Sequence, residues 1–466
     1  MLHAGGPIWS LAWAPSPPGQ EVQQLALSAH LTAQAASYQA DALPGPGLLQ
    51  LWTFRRGGAG EEFDGAPIFS QGIAHRYGRV WDLAWCPSGM WEAPPPSPGS
   101  EGPPARLGGL AAACSDGTVR LFLVHHAEHP GELWEREADL SLVPGDGTEG
   151  HCTTISWYRG PGHRYLAAGF TSGLVCLWDL AASSDLLVQD GQVRPVQSWL
   201  GHFSSITSIA LCPSETEVPQ YVVSGGTDRC YKFWDLRDTT VPLQEVKRSL
   251  VTSLSWLPGL PAVSVSYDNV YLMSHTPTVV TESQSLNGRN QPVVLHNSAV
   301  WSQATSPWLG GLALGSAAGE LILYVHPPNS SRAAEEHKGF ARYRCYVYRT
   351  ERSSMGFDPA AALDVTSDDY AGLKERSTLR YIDIWGASGA AAQAELERLK
   401  TADRMPPDEL AAYPLASINC VAWNPNLGAE FWLASAGQAG LVRVHSLASM
   451  ETPAFRTAVK SLAKPR

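Results

Sequence analysis

The chain has 466 residues and a formal net charge of −11, and it contains 17 Trp, 43 Gly and 35 Pro. Such an acidic chain is not expected to grip DNA through its whole surface, because phosphate binding needs clustered lysine and arginine, although a local basic face is still allowed. We expect no transmembrane helix, because no run of about 18 apolar residues occurs, and residues 1–13 do not look like a secretory signal. The length allows one large domain or two ordinary ones.

The cysteines indicate a reducing compartment. Eight are present and none forms a Cys-x-x-Cys pair. Reduced, buried thiols are therefore a better interpretation than a zinc site or a disulfide framework, and the cytosol or the nucleus is the expected location.

An eight-residue pattern repeats along the chain. It has apolar residues at its first and fourth positions, a large residue at the sixth and often a proline at the eighth, as in Ile8 to Pro15 and Val80 to Pro87. Two of the copies, those starting at Cys152 and Val300, are weaker. The seven copies begin at Ile8, Val80, Cys152, Ile206, Val251, Val300 and Ile418. Internal repeats of this kind indicate a propeller or a solenoid.

Each copy is followed by an apolar run, a turn and a second apolar run, as in residues 110–122, 165–179 and 221–235. Short apolar runs joined by Gly and Asp turns predict β-hairpins. These residues resemble the WD40 repeat. We therefore predict an all-β fold, a seven-bladed WD40 β-propeller with a long insertion between blades six and seven.

The fourth unit is the copy closest to that family, with Gly201-His202 at its start and Trp234-Asp235 at its end. The resemblance implies a hydrogen-bonded tetrad formed by His202, Ser224, Asp228 and Trp234. We interpret this tetrad as structural rather than chemical, because buried polar groups need partners.

The spacing of the copies places the insertion. A blade takes about 40–45 residues, and the sixth interval exceeds that by about 70. We divide the chain into blades one to six (1–324), an insertion (325–416), and blade seven with a closing strand (417–466). Within the insertion we expect the outer strand of blade six at 342–348, a polar loop at 350–375, an apolar strand at 379–385 and a helix at 390–400. The Pro-rich segment 93–104 reads as a solvated loop.

Long loops that persist in a domain are often functional, so the insertion is predicted to dock a partner, with a plain surface loop as the alternative. Deleting residues 350–405 would then leave the propeller folded and weaken complex assembly.

A tryptophan recurs at the second position of the repeat, in Trp9, Trp81 and Trp301, and Asn419 holds this position in the seventh unit. In a closed ring the three tryptophans should cluster on one arc of one face. Because Trp is enriched in binding hot spots, these four residues are the hypothetical partner-binding site. The alternative is that the indoles wedge between blades as core.

Enzyme motifs are missing from the sequence: it has no Gly-x-Ser-x-Gly, no phosphate-binding loop and no His-Glu-x-x-His. The cluster of His125, His126 and His129 could suggest a metal, but it reads better as an exposed loop. We therefore expect no catalytic residues, no metal, no cofactor and no small-molecule substrate.

Several segments resemble one family more closely than the general repeat. They are 5–11, 47–52, 80–89 and 106–117, and together they are similar to the WD40 subunit of transcription factor IIIC. The resemblance implies a non-enzymatic scaffold in the nucleus, which binds other subunits of that complex for RNA polymerase III transcription of transfer-RNA-type genes. It also implies that DNA is contacted only indirectly, through the complex, and that no membrane is involved.

The sequence departs from that family at its start, because blade one begins within ten residues of Met1 and no charged extension precedes it. Autonomous DNA binding is therefore doubtful. For ring closure we favour residues 454–462 as the outer strand of blade seven, since residues 1–5 are very short. The alternative function is a WD40 adaptor for a ubiquitin ligase or a histone-tail-binding propeller. An aromatic cage of Trp9, Trp81 and Trp301 would favour the histone version.

Overall fold

A computed structural model shows seven β-sheets arranged as the blades of a propeller. The structure describes residues 1–30, 42–57, 63–87, 90–92, 105–145, 150–189, 191–258, 262–268, 276–282, 291–296, 298–325, 344–354, 377–383 and 415–447. Within these ranges the helical structure is limited to one 3-10 turn, Pro161–His163. The predicted all-β, seven-bladed fold is confirmed.

The first three blades each start from an inner strand that carries one copy of the repeat. Blade one contains β2 (Ile8–Trp13), β3 (Val22–Ala29), β4 (Gly47–Arg55), β5 (Ile68–His75) and an edge strand β9 (Glu132–Glu135). Blade two contains β6 (Val80–Trp85), β7 (Arg106–Cys114), β8 (Val119–His125), β10 (Leu140–Leu142), β15 (Gln192–Val193) and β14 (Val188–Gln189). Blade three contains β11 (Cys152–Trp157), β12 (Tyr165–Phe170), β13 (Leu174–Asp179) and β16 (Gln197–Leu200).

The other four blades follow the same plan. Blade four contains β17 (Ile206–Leu211), β18 (Tyr221–Gly226), β19 (Cys230–Asp235) and β20 (Gln244–Lys247). Blade five contains β21 (Leu250–Trp256), β22 (Ala262–Asp268), β23 (Thr276–Glu282) and β24 (Gln291–His296). Blade six contains β25 (Val300–Thr305), β26 (Gly311–Ser316), β27 (Glu320–Val325), β28 (Arg344–Ser354) and β29 (Ser377–Asp383). Blade seven contains β30 (Ile418–Trp423), β31 (Trp432–Gly437), β32 (Leu441–Ser446) and β1 (Leu2–His3).

The chain start closes the ring. Strand β1 pairs antiparallel with β32, Leu2 opposite Val442 and His3 opposite Leu441. The expectation that residues 1–5 are too short for this role is therefore wrong: two residues suffice, because β1 is also anchored where the Gln50 side chain donates to the Ala4 carbonyl at 2.8 Å. The favoured candidate, 454–462, lies outside the described residues.

The insertion after β27 contributes two strands to blade six. Strand β28 pairs with β27, and β29 pairs with β28 along seven residues, from Tyr348 opposite Asp383 to Ser354 opposite Ser377. Part of the segment expected to be a polar loop, 350–354, is therefore strand. The expected helix at 390–400 and the loop at 93–104 lie outside the described residues.

Seven apolar clusters form the core, one at each seam between neighbouring blades. At the seam of blades seven and one, for example, Ile8 and Leu25 pack with Trp432. Burying such a side chain stabilises the fold by about 1.5–3 kcal/mol. Tryptophan at the sixth repeat position adds a link: the indole N–H of Trp85 donates to the Ala12 carbonyl of the preceding blade at 3.0 Å, and that of Trp256 to the Ala210 carbonyl at 3.0 Å.

The inner strands surround a central channel with a volume of about 790 Å³. In every blade the pairing of the inner strand with its neighbour slips by one residue at the second repeat position. Such a bulge leaves its residue outside the ladder and re-aims the side chain. All seven bulge residues line the channel: Trp9, Trp81, Thr153, Thr207, Thr252, Trp301 and Asn419.

Candidate functional site

The four residues of the expected tetrad lie together in blade four. His202 Nδ1 is 3.0 Å from both carboxylate oxygens of Asp228, and His202 Nε2 is 2.8 Å from the Ser224 hydroxyl oxygen. The Trp234 indole N–H donates to the same hydroxyl oxygen at 2.9 Å. The chain of bonds joins the loop before β17 to the turn before β19 and to strand β19 itself.

The donor and the acceptor of each hydrogen bond in the tetrad can be assigned from its two ends, Asp228 and Trp234. A carboxylate only accepts, so His202 Nδ1 carries the proton; Nε2 then accepts from the Ser224 hydroxyl, whose oxygen accepts from Trp234. Burial lowers the pKa of His202, which keeps the imidazole neutral near pH 7. Every polar atom of the tetrad is used inside the blade, and the arrangement presents no free base or nucleophile.

The second copy of the repeat, which takes its histidine from the end of β5 in blade one, keeps only part of this arrangement. His75 Nδ1 accepts from the Tyr77 backbone N–H at 3.3 Å, and Asp116 instead pairs with the Arg120 guanidinium at 2.7 Å. The Arg120 guanidinium also lies 4.0 Å from the centre of the Tyr77 ring. A cation–π contact and an ion pair thus take the place of the His–Asp bond.

The bulge residues divide into two groups. Three of the hydroxyl and amide side chains link neighbouring blades, because each donates to the carbonyl at the first repeat position of the next blade. Thr153 donates to Ile206 at 2.6 Å, Thr207 to Val251 at 2.7 Å, and Asn419 to Ile8 at 3.2 Å. These side chains fasten the ring at the channel wall.

The tryptophans form the second group, and the structure brings all three together. The Trp9 ring lies between the others, with its centroid 6.2 Å from that of Trp81 and 6.1 Å from that of Trp301, both edge to face. Trp81 also contacts the His30 ring at 5.0 Å. Trp9 and Trp81 are half-buried, whereas Trp301 is 37% exposed. We call these three residues the indole cluster.

Asn419 does not share this exposure. Its side chain is buried, accepts from the Ser417 hydroxyl at 2.9 Å and donates to Gln438 as well as to Ile8. A partner cannot reach an amide that is used in this way, so the hypothetical partner site is reduced to the tryptophans.

A ring of third-position contacts was missed by sequence reasoning. The hydroxyls of Ser208, Ser253 and Ser302 each accept the fourth-position backbone N–H of the next blade, at 3.1 to 3.3 Å. In blade two Asp82 does the same with the Ile155 N–H at 2.9 Å, and burial raises its pKa to about 6. A serine stands at the third position in four of the seven copies, and three of these four make the contact, whereas the Ser10 hydroxyl has no partner among the described residues.

In the described part of the chain, no group of three or more His, Cys, Asp or Glu side chains is placed to hold a metal ion. His125 ends β8, and its carbonyl oxygen accepts from Gln71 Nε2 at 2.7 Å. Among the same residues, no helix has the length and apolar character needed to cross a bilayer.

Comparison with known proteins agrees with the geometry. The family described as WD domain, G-beta repeat matches residues 68–122 and 193–235. The chain is 31% identical over 493 residues to General transcription factor 3C polypeptide 2 of Homo sapiens and, to the same degree, of Pongo abelii. It is 23% identical over 460 residues to Transcription factor tau subunit sfc6 of Schizosaccharomyces pombe.

These alignments cover nearly all of this chain but not of the relatives. Each covers 97% of the chain, against 53% of the human and orangutan proteins and 65% of the yeast one. The chain therefore spans about half the length of the first two relatives.

Proposed function

We propose that this chain, a WD40-repeat β-propeller that resembles subunit 2 of general transcription factor 3C over nearly its whole length, is the propeller subunit of a transcription factor IIIC-type complex. The names of its human and fission yeast relatives support a role in transcription. The chain would work in the nucleus, in transcription of transfer-RNA-type genes by RNA polymerase III, and would meet DNA through the complex.

Its part in the complex is that of a scaffold rather than an enzyme. Several polar side chains of the described channel wall join neighbouring blades, among them Thr153, Thr207 and Asp82. Groups held in this way stabilise the ring and are not free to act as bases or nucleophiles. The fold presents a rigid surface, and we expect other subunits of the complex to bind to it.

The indole cluster is the proposed contact for one of those subunits. The single observation that carries this is the exposure of Trp301 at the channel wall, with Trp9 supporting it from the side. Large aromatic side chains with part of their surface open are typical anchors of protein interfaces, because they bury much area at little cost in side-chain entropy.

A histone-binding cage fits the same residues less well. A cage needs an empty space between aromatic faces for the cation. Here Trp9 meets both neighbours edge to face at about 6 Å, a separation at which rings touch. The indoles therefore fill the space that a methylated lysine would need, and the adaptor alternative has no observation in its favour.

The proposal can be tested by affinity purification of the tagged chain from nuclear extract. Recovery of the other transcription factor IIIC subunits is expected, whereas recovery of a cullin adaptor or of histones in their place would refute it. Trp301→Ala should reduce the recovery of subunits without changing the melting temperature. Trp308→Ala is the matched control, because Trp308 is also exposed but follows the opposite end of β25.

A further inference from the structure

The turn between β18 and β19 carries an arginine where other blades carry glycine. Arg229 has a φ of +67°, in the left-handed region that is unfavourable for residues with a side chain. Among the described turns at this position, four have a glycine with φ between +74° and +86°. These glycines are Gly117, Gly173, Gly319 and Gly440.

Glycine in those four turns is explained by close packing. A Cβ there would lie within 2.7 Å of a carbonyl oxygen in the loop that leads into the next blade. Blade four instead gives room for a side chain at Arg229, at the expense of a strained backbone. A strained residue that persists on a surface invites a functional explanation.

Arg229 belongs to a continuous surface. Its carbonyl oxygen accepts the Arg248 backbone N–H at 3.0 Å, which puts Arg248 and Lys247 beside it. On its other side, the Phe203 backbone N–H donates to Asp228 at 3.2 Å. The Phe203 side chain is 86% exposed, and all three cations are exposed. We call Phe203, Arg229, Lys247 and Arg248 the blade-four rim patch.

The tetrad holds this patch in place. Asp228, which precedes Arg229, is fixed by His202 and by the Cys230 backbone N–H at 3.2 Å. His202 in turn precedes Phe203. The two residues that protrude, Phe203 and Arg229, are thus each next to a hydrogen-bonded tetrad member, so their backbones are already ordered before any partner arrives. Such preorganisation reduces the entropy lost on binding.

The patch is positive on a chain whose net charge is −11. Lys247 pairs with Glu245 at 3.1 Å, whereas the described residues provide no ion pair for Arg229 or Arg248. Hydrogen bonds from His202, Phe203 and Cys230 hold the Asp228 carboxylate in place but do not cancel its charge. The cations Arg229, Lys247 and Arg248 exceed the carboxylates Asp228 and Glu245 by one charge, so the patch stays positive. Two arginines beside an exposed phenyl ring therefore face solvent.

We propose that the blade-four rim patch binds an acidic, extended segment of a partner protein that also carries an apolar side chain. The carboxylates would pair with Arg229 and Arg248, and the apolar side chain would cover Phe203. Arginine and aromatic residues are the types enriched in protein interfaces. Nucleic acid is disfavoured, because a grip on DNA uses a longer row of cations and a strongly acidic chain repels it. The site is separate from the indole cluster and does not depend on the role in transcription.

The test uses the whole chain and a fluorescein-labelled peptide of about a dozen residues in which Asp and Glu alternate with Leu and Phe. Fluorescence anisotropy should show binding that weakens as salt is raised, since exposed charges are screened. Arg229→Gly should weaken it about thirtyfold, the lower limit for a hot-spot residue. This variant restores the glycine of the other blades, so its melting temperature should be unchanged or higher.

Arg237→Ala is the control, because Arg237 follows the opposite end of β19, and it should bind as the wild type does. The proposal is wrong if the wild-type chain does not bind the peptide, or if Arg229→Gly binds it equally well. A short DNA duplex is tested in the same assay. If it binds more tightly than the peptide, and Arg229→Gly weakens its binding, the ligand of the patch is nucleic acid and the proposal is wrong.

Discussion

At the residue scale, the strongest local constraint is the tetrad of blade four. Sequence resemblance predicted its four members by number, and the structure places them in one chain of hydrogen bonds. Such a pattern can be read from a sequence because each residue sits at a fixed place in the repeat. The burial of Asn419 could not be predicted in this way. Its repeat position was aligned correctly, but its burial depends on contacts with another blade, such as its hydrogen bond to the Ile8 carbonyl.

Ser224 is the centre of that chain, and Ser224→Ala should destabilise the protein. The change leaves two buried groups without partners, His202 Nε2 and the Trp234 N–H. The expected loss in the free energy of unfolding is about 2 kcal/mol. Denaturant titration would measure it. Ser172→Ala, in an exposed turn of blade three, should have little effect.

Two buried histidines predict the response to acid. Burial lowers the pKa of His30 and of His75 to about 4, whereas an unfolded histidine titrates near 6.5. Between these values the unfolded chain binds protons that the folded chain refuses, so stability is full above about pH 6.5 and falls as the pH drops towards 4. Asp82, with its raised pKa of about 6, opposes this trend over part of the window.

Denaturant midpoints measured from pH 7 to pH 4.5, about the span set by these pKa values, should therefore decline. The double variant His30→Gln with His75→Gln should flatten the curve, because glutamine does not titrate. A curve of equal slope in the variant would show that other groups control the acid response.

Trp81 tests whether the indole cluster is also core. Its indole N–H is enclosed without a hydrogen-bond partner, and its ring contacts Trp9, His30 and His151. We expect Trp81→Ala to lower the free energy of unfolding by about 3 kcal/mol, in addition to any effect on partners. A melting temperature equal to that of the wild type would instead place Trp81 with Trp301 as a surface residue.

At the element scale, the inner strands and the two strands of the insertion could be predicted, but the remaining edge strands could not. Each inner strand carries the repeat, so its position follows from the sequence. Strands β28 and β29 correspond to the runs expected at 342–348 and 379–385, whereas β9 and the two-residue β1 have no pattern of their own. The positions of these edge strands depend on which strand edges stay unpaired elsewhere in the ring, and a local sequence pattern does not contain that information.

Strand β29 also contributes to the contact between blades six and seven. The Arg443 guanidinium of β32 lies 4.6 Å from the Tyr348 ring and 4.4 Å from the Tyr381 ring, and it pairs with Asp383 at 3.0 Å. These contacts fasten blade six to blade seven. The expectation that residues 350–405 can be deleted without harm to the propeller is therefore not supported, although the partner-docking role of the insertion stays a prediction.

The substitution Arg443→Met tests how much these contacts of Arg443 stabilise the protein. The substitution keeps an unbranched apolar stem between the two tyrosines and removes the charge that both rings and Asp383 attract. We expect a loss of about 1–2 kcal/mol, mostly from the cation–π contacts, because Asp383 is largely exposed and its ion pair is weak. Asp383→Asn should cost less. Equal losses would show that the ion pair is the main contribution.

At the scale of the whole molecule, the seam between blades seven and one decides whether the ring is closed. Besides β1, buried side-chain amides connect the two blades. The side-chain oxygen of Gln23, Oε1, accepts from Asn424 Nδ2 at 3.1 Å and from Asn426 Nδ2 at 2.7 Å. Asn426 also donates to the Ala14 carbonyl at 2.9 Å. Polar contacts here supplement the apolar core that every seam shares.

Gln23→Leu should weaken this seam more than the others. Both asparagine amides would lose an acceptor inside the protein, at an expected cost of about 2–3 kcal/mol. Hydrogen exchange should then speed up in β30 and β2 before it does in β17, which lies across the ring. Uniform acceleration in all blades would indicate that the ring opens as one unit.

The bulge in each inner strand has a consequence for how this fold can change. The backbone of the bulge residue is outside the ladder, so strand pairing does not dictate which side chain stands there. Threonine, asparagine and tryptophan already occupy this position in different blades. The threonine and asparagine side chains at these positions are used in hydrogen bonds to other strands, so the three tryptophan positions are the ones open to exchange. Redesign of Trp9, Trp81 and Trp301 could therefore create a new ligand site at one opening and leave the β-ladders unchanged.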